Sequence, residues 1–294
     1  MSWIVFALLA ALIWAVANVA DKIVISRLTR EPVVPVVLMN GVGLFIAIGI
    51  FAFRGVPAVS APLIVGALIL GVFAMLPSYF YFSAAKEEEI SRVVPLFQLA
   101  NLFTPVIAFF TLGEVFTLQT YLSIILLVIG ALLISSTRLF PIRLNRSFWC
   151  MIAAATTYAI YGIVLKYLLQ FWNFWDLFSA MRIATFVLAL PLVMIYRNAL
   201  QTLLRTHGVS GVGIISFTEF VSMMGGFVHA VAASLGPITL VNAVVSVQPL
   251  LVLIFSAVVT IVTPQIFKEM IDQKTITRKA FATICIIVGA LGIQ

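Results

Sequence analysis

Long apolar segments of about 20 residues follow one another along this chain and are separated by short stretches that carry most of its charge. Segments of this length match a hydrocarbon core roughly 30 Å thick. Every backbone polar group must be bonded internally in lipid, and no alternating strand pattern is present, so the segments predict helices. With 63% hydrophobic and only 9% charged residues, the composition excludes a soluble domain. We therefore predict an all-α polytopic membrane protein.

Charged and Pro- or Gly-rich points divide the chain into about ten predicted transmembrane helices. The first five are residues 3–25, 34–53, 62–85, 90–111 and 120–136, and the second five are residues 148–169, 175–196, 209–234, 237–262 and 276–293. The first segment is as long as a full span and lacks a preceding basic region, so we interpret it as a permanent helix.

The two sets of five repeat one another. A shift of 144 residues places Trp14 on Tyr158, Lys22 on Lys166 and Pro105 on Pro249. An intramembrane proline and a helix-end lysine at one shared shift indicate an internal duplication. Because each half has an odd number of spans, the second half must enter the membrane upside down, as in many secondary transporters. The expected fold is thus two inverted five-helix repeats.

The expected division of the chain is a first repeat over residues 1–138, a cytoplasmic linker over 139–146 and a second, inverted repeat over 147–294. The shared register ends after the ninth span, where residues 263–279 have no counterpart in the first half. Apolar residues recur there at helical spacing among charged ones. This pattern predicts an interfacial helix on anionic headgroups, with a solvated linker as the alternative.

The basic residues predict the orientation. Nearly all Lys and Arg residues of the loops fall on one face, whereas the opposite face holds Arg54. The positive-inside rule places the basic face in the cytoplasm of the inner or plasma membrane and both termini outside. This topology signal also explains the net charge of +7, so nucleic acid is not an expected partner.

One block of the first half has a distinctive order. A short charged turn leads into a helix that contains Pro105, a tight Gly113-Glu114 turn follows, and Gln119 and Gly130 lie in the next helix. This block resembles the EamA-type half of the drug/metabolite transporter (DMT) superfamily. The resemblance implies the DMT fold and export of amino acids, other metabolites or drugs, with relatives that move nucleotide-sugars or lipid-linked sugars. It also implies cytoplasmic termini, against which the basic loops argue.

Charged groups inside spans cost free energy unless they are paired or face water, which makes them functional candidates. Arg182 looks like the arginine that EamA-type repeats carry in their second helix, and its planar guanidinium suits a carboxylate or phosphate of a substrate. A structural ion pair with Glu219 is the alternative. Glu219 and His229 are candidates for proton coupling, and for His229 a packed, hydrogen-bonded ring is the alternative. Asp21 is interpreted as a local interfacial pair with Lys22.

Two polar half-sites are expected to face each other at mid-membrane. Trp14 and Asn18 share one face of the first helix, and Tyr158 occupies the matching face of the sixth. Polar residues precede Pro105 and Pro249, and a proline in mid-helix frees a carbonyl about one turn earlier. The predicted substrate-binding residues are Trp14, Asn18, Tyr79, Asn101, Tyr158, Arg182, Asn242 and Gln248, with Pro105 and Pro249 as hinges. Polar side chains that bond only to neighbouring helices are the alternative.

These predictions favour a secondary transporter that moves a small organic metabolite, anionic or zwitterionic, by alternating access, with proton coupling through Glu219 as an open question. The chain is expected to act as a monomer among membrane lipids. A flippase for a polyprenyl-phosphate-linked or other anionic lipid is the second hypothesis, with Arg182 on the phosphate. The sequence has no phosphate-binding Gly-Lys loop and no hydrolase or metal motif, so no ATP drive, enzyme activity, cofactor or metal is expected. The repeat and the prolines argue against a channel.

Overall fold

The computed structural model describes residues 2–29, 31–56, 60–87, 93, 96–135, 145–262 and 273–292. Within these ranges the chain is almost entirely helical and contains no strand. The prediction of an all-α protein is therefore confirmed. Residues 263–272 of the predicted interfacial segment and residues 139–144 of the predicted linker lie outside the described ranges.

The described residues form helices α1 (Ser2–Ile23), α2 (Val33–Arg54), α3 (Ala61–Glu87), α4 (Ala100–Leu112), α5 (Leu118–Ser135), α6 (Arg146–Leu168), α7 (Phe174–Ile195), α8 (Arg197–Leu235), α9 (Ile238–Val245), α10 (Gln248–Val262) and α11 (Gln273–Leu291). Six of these described helices are long and apolar enough to cross a membrane, and shorter apolar helices lie at Ala100–Leu112, Leu118–Leu133 and Ile238–Val252. The chain is an integral membrane protein.

Three helices depart from regular geometry. A π-helical turn at Val24–Leu28 extends α1 beyond its predicted end. Helix α8 is kinked at Gly208, whose φ of 65° only glycine adopts readily. The apolar part of α8 begins after this residue. The predicted ninth span is broken into α9 and α10 at residues 246–247. Pro249 follows this break in the first turn of α10, where its missing N–H leaves no bond unmade.

Helices from the two halves pack in antiparallel pairs. Trp3 lies against Gly236, and Trp14 lies against Gly225, which aligns α1 with α8 in opposite directions. Helices α3 and α6, α2 and α7, and α5 and α11 are also packed together, and α4 contacts both α6 and α9. The largest cluster of buried apolar residues joins α3, α6 and α7 through residues such as Leu70, Leu165 and Phe178.

Helix ends gather on two faces. The N-terminal face holds the start of α1, the turn between α4 and α5 and the turn between α8 and α9, where Trp3 contacts Gly236. The basic face holds Lys86 at the end of α3 and Arg146 at the start of α6. Lys86 forms an ion pair there with Glu31 at 3.2 Å, and both side chains are exposed.

Glycines bring α5 and α11 into close contact. A Cβ added to Gly130 would lie 2.7 Å from Ile286 Cγ1 and 2.9 Å from the carbonyl oxygen of Ala282. We expect Gly130→Ala to lower the free energy of unfolding by about 1–3 kcal/mol, because backbone atoms must move to admit the methyl group. Thermal unfolding in detergent would measure the change. Gly49→Ala is the control, since no atom lies within 4 Å of its Cβ position; equal stability of the two variants would contradict this packing.

Candidate functional site

A cavity of about 190 Å³ lies at the centre of the protein. Every described helix except α5 and α11 contributes to its wall. Seven sequence-predicted site residues line it: Trp14, Asn18, Asn101, Tyr158, Arg182, Glu219 and Gln248. Tyr79, His229, Asn242, Pro105 and Pro249 are not among the lining residues. In place of Tyr79 the wall includes Tyr81, two residues further along α3.

Arg182 is held in the wall by packing. It is only 6% exposed, and its guanidinium carbon lies 4.8 Å from the centre of the Phe178 ring. Its aliphatic stem fits beside Gly43, where an added Cβ would approach Arg182 Cδ to 3.3 Å. The Nε atom has no hydrogen-bond partner, and the described residues include no ion pair between Arg182 and Glu219. The guanidinium is thus positioned by apolar contacts.

Two carboxyl groups from different halves also face the cavity. Glu219 of α8 is 2% exposed and Asp21 of α1 is 6% exposed, and both line the wall. One oxygen of each, Oε1 and Oδ1, has no hydrogen-bond partner. The interpretation of Asp21 as an interfacial residue is therefore corrected. The sequence did contain a sign that Asp21 faces the cavity, because it lies seven residues after Trp14 and therefore on the same face of α1.

Aromatic rings form one side of the cavity. Trp14 Nε1 donates a hydrogen bond of 2.9 Å to the carbonyl oxygen of Ser222, which fixes the indole across α8. The Trp14 and Tyr158 rings meet edge to face with their centres 6.2 Å apart, and Phe97 lies 5.2 Å from Tyr158. Trp14 and Tyr158, which the sequence analysis aligned by a shift of 144 residues, are thus in direct contact.

A buried hydrogen-bond network lies behind this aromatic side. Thr104 donates to the carbonyl of Ala100, so its hydroxyl oxygen accepts from Asn242 Nδ2 at 3.1 Å. The amide oxygen of Asn242 then faces His229 Nε2 at 2.8 Å, which requires His229 to donate from that nitrogen. His229 is accordingly a packed, hydrogen-bonded histidine, and Asn242 bonds to neighbouring helices rather than lining the cavity.

The break between α9 and α10 is tied to α4. Asn101 Nδ2 donates to Ser246 Oγ at 2.8 Å and to Gln98 Oε1 at 3.0 Å. Ser246 is one of the two residues at the break, and Asn101 also lines the cavity. The polar residues before the two prolines therefore cross-link the halves beside the cavity. Pro105 itself lies within α4 and does not interrupt it.

Glu114 and Lys166 hold the α8–α9 turn from both sides, an arrangement that sequence reasoning missed. The Glu114 carboxylate accepts from the backbone N–H groups of Ile238 at 2.9 Å and Thr239 at 3.2 Å, at the start of α9. Lys166 Nζ donates to the carbonyl oxygens of Ala233 at 2.8 Å and Gly236 at 2.9 Å, at the end of α8. Each charge thus meets the helix end of opposite partial charge. We call this pair the Glu114–Lys166 clasp.

Among the described residues, no group of three or more His, Cys, Asp or Glu side chains could hold a metal ion. The polar atoms around the cavity are instead two carboxyl groups, one guanidinium, amides and hydroxyls. Such a set can bind an organic solute through charge-assisted hydrogen bonds.

Comparisons with known proteins agree with this fold. The model of the EamA-like transporter family matches residues 1–136. No curated protein matches the sequence. A solved structure described as "Crystal structure of protein" is similar to this chain with a TM-score of 0.68 and 16% sequence identity, over 99% of this chain and 95% of that chain. At this identity the likeness shows a common fold alone. Residues 1–136, just under half of the chain, are therefore similar to the EamA-like transporter family of the drug/metabolite transporter superfamily.

Proposed function

We propose that the protein is a secondary transporter that moves a small anionic or zwitterionic metabolite by alternating access. The observation that carries the proposal is the central cavity, whose wall contains the buried Arg182 with an unpartnered Nε atom. A buried cation without a partner is costly, so its retention in a cavity is explained by a ligand that supplies an anionic group. Membrane transport is the activity of the family whose model matches the first half.

Alternating access is supported by the way the halves pack. If each helix is replaced by its counterpart in the other half, the contact between α1 and α8 becomes the contact between α6 and α3. The contact between α1 and α9 likewise becomes the contact between α6 and α4. The pairs α2–α7, α4–α9 and α5–α11 each map onto themselves. An arrangement of this symmetry is expected of ten spans in two inverted repeats around a central site. Each half can then rock against the other and expose the cavity to either face in turn.

The proposed closed side is the N-terminal face, where the clasp joins the α4–α5 turn to the α8–α9 turn. We place the basic face in the cytoplasm, as the positive-inside rule requires, and the N-terminal face outside. Transport then requires the clasp to open while contacts on the basic face close. Asn101 and Ser246, which link α4 to the break before Pro249, lie where this movement would bend the second half.

The size of the cavity favours a small solute over a lipid. A volume of about 190 Å³ is below the usual range for drug-sized ligands, roughly 300–1,000 Å³, and is far too small for a polyprenyl chain. The second hypothesis, a lipid flippase, would need the long chain to remain outside the cavity. No contact of the described residues favours that arrangement, so the metabolite transporter is our conclusion.

A stability screen followed by counterflow tests this function. Purified full-length protein would be heated with amino acids, small carboxylates, phosphorylated metabolites or polyprenyl phosphate. A solute at 100 times its Kd should stabilise the folded protein by about 2.7 kcal/mol. The stabilising solute should then show counterflow in proteoliposomes, and a pH gradient would test proton coupling through Glu219. Stabilisation by polyprenyl phosphate alone, or a stabilising solute without counterflow, would contradict the proposal.

A further inference from the structure

We propose that the first part of α8 binds the headgroups of anionic phospholipids. This part comprises residues 197–207, before the kink at Gly208, and we call it the α8 arm. The arm contributes no residue to the wall of the central cavity, so the site does not depend on the transported solute. The ligand class is a lipid whose phosphodiester headgroup carries a net negative charge, such as phosphatidylglycerol.

The α8 arm runs along the basic face. Helix α7 begins at the N-terminal face, shortly after Lys166 of the clasp, and so ends at the basic face. Helix α8 ends at the N-terminal face, so its spanning part begins at the basic face, after Gly208. The arm, about 16 Å long, therefore joins two helix ends on the same face.

The kink at Gly208 turns the arm away from the axis of the spanning part of α8. In a straight helix, residues four apart keep their Cβ atoms about 5–6 Å apart. Here a Cβ added to Gly211 would instead collide with the Cβ atom of His207. The chain thus bends sharply between these two residues, and the arm does not continue the direction of the spanning helix.

Strongly exposed apolar side chains mark the edge of the hydrocarbon region at both ends of the arm. Ile195, just before the arm, is 70% exposed, and Val209, just after it, is 81% exposed. On membrane-spanning helices such side chains face lipid chains, which removes them from water. Arg197 follows Ile195 by only two residues. The arm therefore lies at the level of the lipid headgroups.

One face of the arm is packed on the protein. Leu203 is buried in a cluster with Val24 of the π-helical turn, Val34 of α2 and Ile215 of the spanning part of α8. The apolar face of the arm thus has its partners within the protein and does not need the membrane to cover it. The opposite face is left available to lipid.

This opposite face carries two arginines. Arg197 and Arg205 are exposed and eight residues apart, with the exposed Gln201 between them, so the three share one stripe of the arm. Leu204, seven residues after Arg197, borders the stripe and is 48% exposed. An exposed leucine beside arginines is typical of a segment that meets lipid, because the leucine contacts the acyl chains while the guanidinium groups extend to the phosphates.

The arginines of the arm have no acidic partner among the described residues. The chain contains no Asp or Glu over residues 177–218. By contrast, Lys86 and Arg146 on the same face form ion pairs with Glu31 and Glu87 at 3.2 and 3.3 Å. The positive charge of the arm is therefore not neutralised by a described part of the protein.

An anionic lipid complements this charge. A guanidinium group can donate two hydrogen bonds to one phosphodiester, and the exposed Arg27 in the adjacent π-helical turn adds a third cation. Each basic residue near an anionic membrane surface strengthens binding roughly fivefold. A zwitterionic lipid lacks the net charge, and a soluble phosphate lacks the chains that would contact Leu204. The arm therefore fits an anionic phospholipid better than either.

Fluorescence quenching by brominated lipids tests the site. A fluorophore would be attached to Leu204→Cys in full-length protein whose Cys150 and Cys285 are replaced by serine and alanine. Bilayers would contain phosphatidylglycerol and phosphatidylcholine, with bromine on the chains of one lipid or of the other. The two quenching curves give the ratio of the binding constants beside the arm. We expect phosphatidylglycerol to be preferred about 10-fold or more at low salt, and about twofold or less at about 1 M NaCl, which screens the charges.

Two matched double variants locate the preference. Arg197→Gln with Arg205→Gln should reduce it to about twofold or less, and each single change should give an intermediate value, because each arginine accounts for roughly fivefold. Lys86→Gln with Arg146→Gln removes the same charge from the same face and should keep the preference of the wild type. A label at Phe110→Cys, at an exposed position near the N-terminal face, should show no preference.

Four results would overturn the site. They are equal quenching by both lipids in the wild type, no quenching by either lipid, a preference that survives the loss of both arginines of the arm, and equal losses in the two double variants. In detergent without added lipid, both double variants should melt as the wild type does, which shows that they fold. Counterflow tests the proposed transport function separately, so either idea can fail alone.

Discussion

Arg182→Met is expected to weaken binding of the stabilising solute by about 100-fold without weakening the fold. Hydrogen bonds to charged groups contribute roughly 1.5–3 kcal/mol each, and a bidentate contact with a carboxylate or phosphate provides two. Losing both at the lower figure removes about 3 kcal/mol of binding free energy, which corresponds to about 100-fold in Kd. Titration of the solute against thermal stability measures this change directly.

Stability of the ligand-free protein separates a binding role from a structural one. Arg182 forms no ion pair with Glu219, and its Nε atom has no partner, so methionine removes an unsatisfied buried charge and keeps much of the side-chain volume. The contact with the Phe178 ring is the main interaction lost. We expect the melting temperature to stay the same or rise. A large fall together with unchanged solute affinity would show that Arg182 is a structural residue.

Two further variants control this experiment. Arg182→Lys keeps the positive charge but loses the planar fork, so we expect an intermediate loss of about 10-fold in affinity. Arg205→Met removes an exposed arginine on the basic face and should change neither binding nor stability. If lysine supports full affinity, the site recognises only charge, and bidentate binding is wrong.

Sequence reasoning reached four residues of the cavity wall by two routes. Arg182 and Glu219 were found because a charge in an apolar segment is costly and must face water, a partner or a ligand. Trp14 and Tyr158 were found through the shared shift between the halves. Helix type and approximate bounds followed from the length of the apolar segments, which the thickness of the membrane fixes.

Other features depended on tertiary packing that a sequence does not encode locally. Asp21 seemed interfacial because Lys22 follows it near the end of the predicted span, yet the π-helical turn at Val24–Leu28 extends the helix and leaves Asp21 within the wall. Tyr79 and Tyr81 lie two residues apart and so point to different sides of α3, and only the packing decides which one meets the cavity. The contact between Glu114 and α9 joins residues 124 positions apart.

The Glu114–Lys166 clasp gives the second large prediction. Glu114→Ala should open the N-terminal face about 10-fold more often than in the wild type. Glu114 supplies acceptors to two N–H groups at the start of α9 and a negative charge at a helix N-terminus. Caps of this kind contribute about 0.5–2 kcal/mol, and the helix dipole adds roughly 0.3–1 kcal/mol. A loss of about 1.4 kcal/mol changes a two-state equilibrium tenfold.

Cysteine labelling measures the opening. Ser222→Cys places a small thiol on the cavity wall, in a background where Cys150 and Cys285 are replaced by serine and alanine. An impermeant maleimide added from the N-terminal face of proteoliposomes should label this thiol about 10-fold faster when Glu114 is alanine. Glu114→Gln, which keeps one acceptor but loses the charge, should give an intermediate rate.

Glu31→Ala is the matched control for the clasp. Glu31 forms an ion pair with Lys86 at 3.2 Å, but both side chains are exposed on the basic face, where such pairs contribute about 0–1 kcal/mol. Its loss should leave labelling from the N-terminal face unchanged. Equal labelling of wild type and Glu114→Ala would show that other contacts, such as Trp3 on Gly236, keep this face closed. Equal acceleration in both variants would mean that the clasp has no special role, because removing any acidic residue would then loosen the protein.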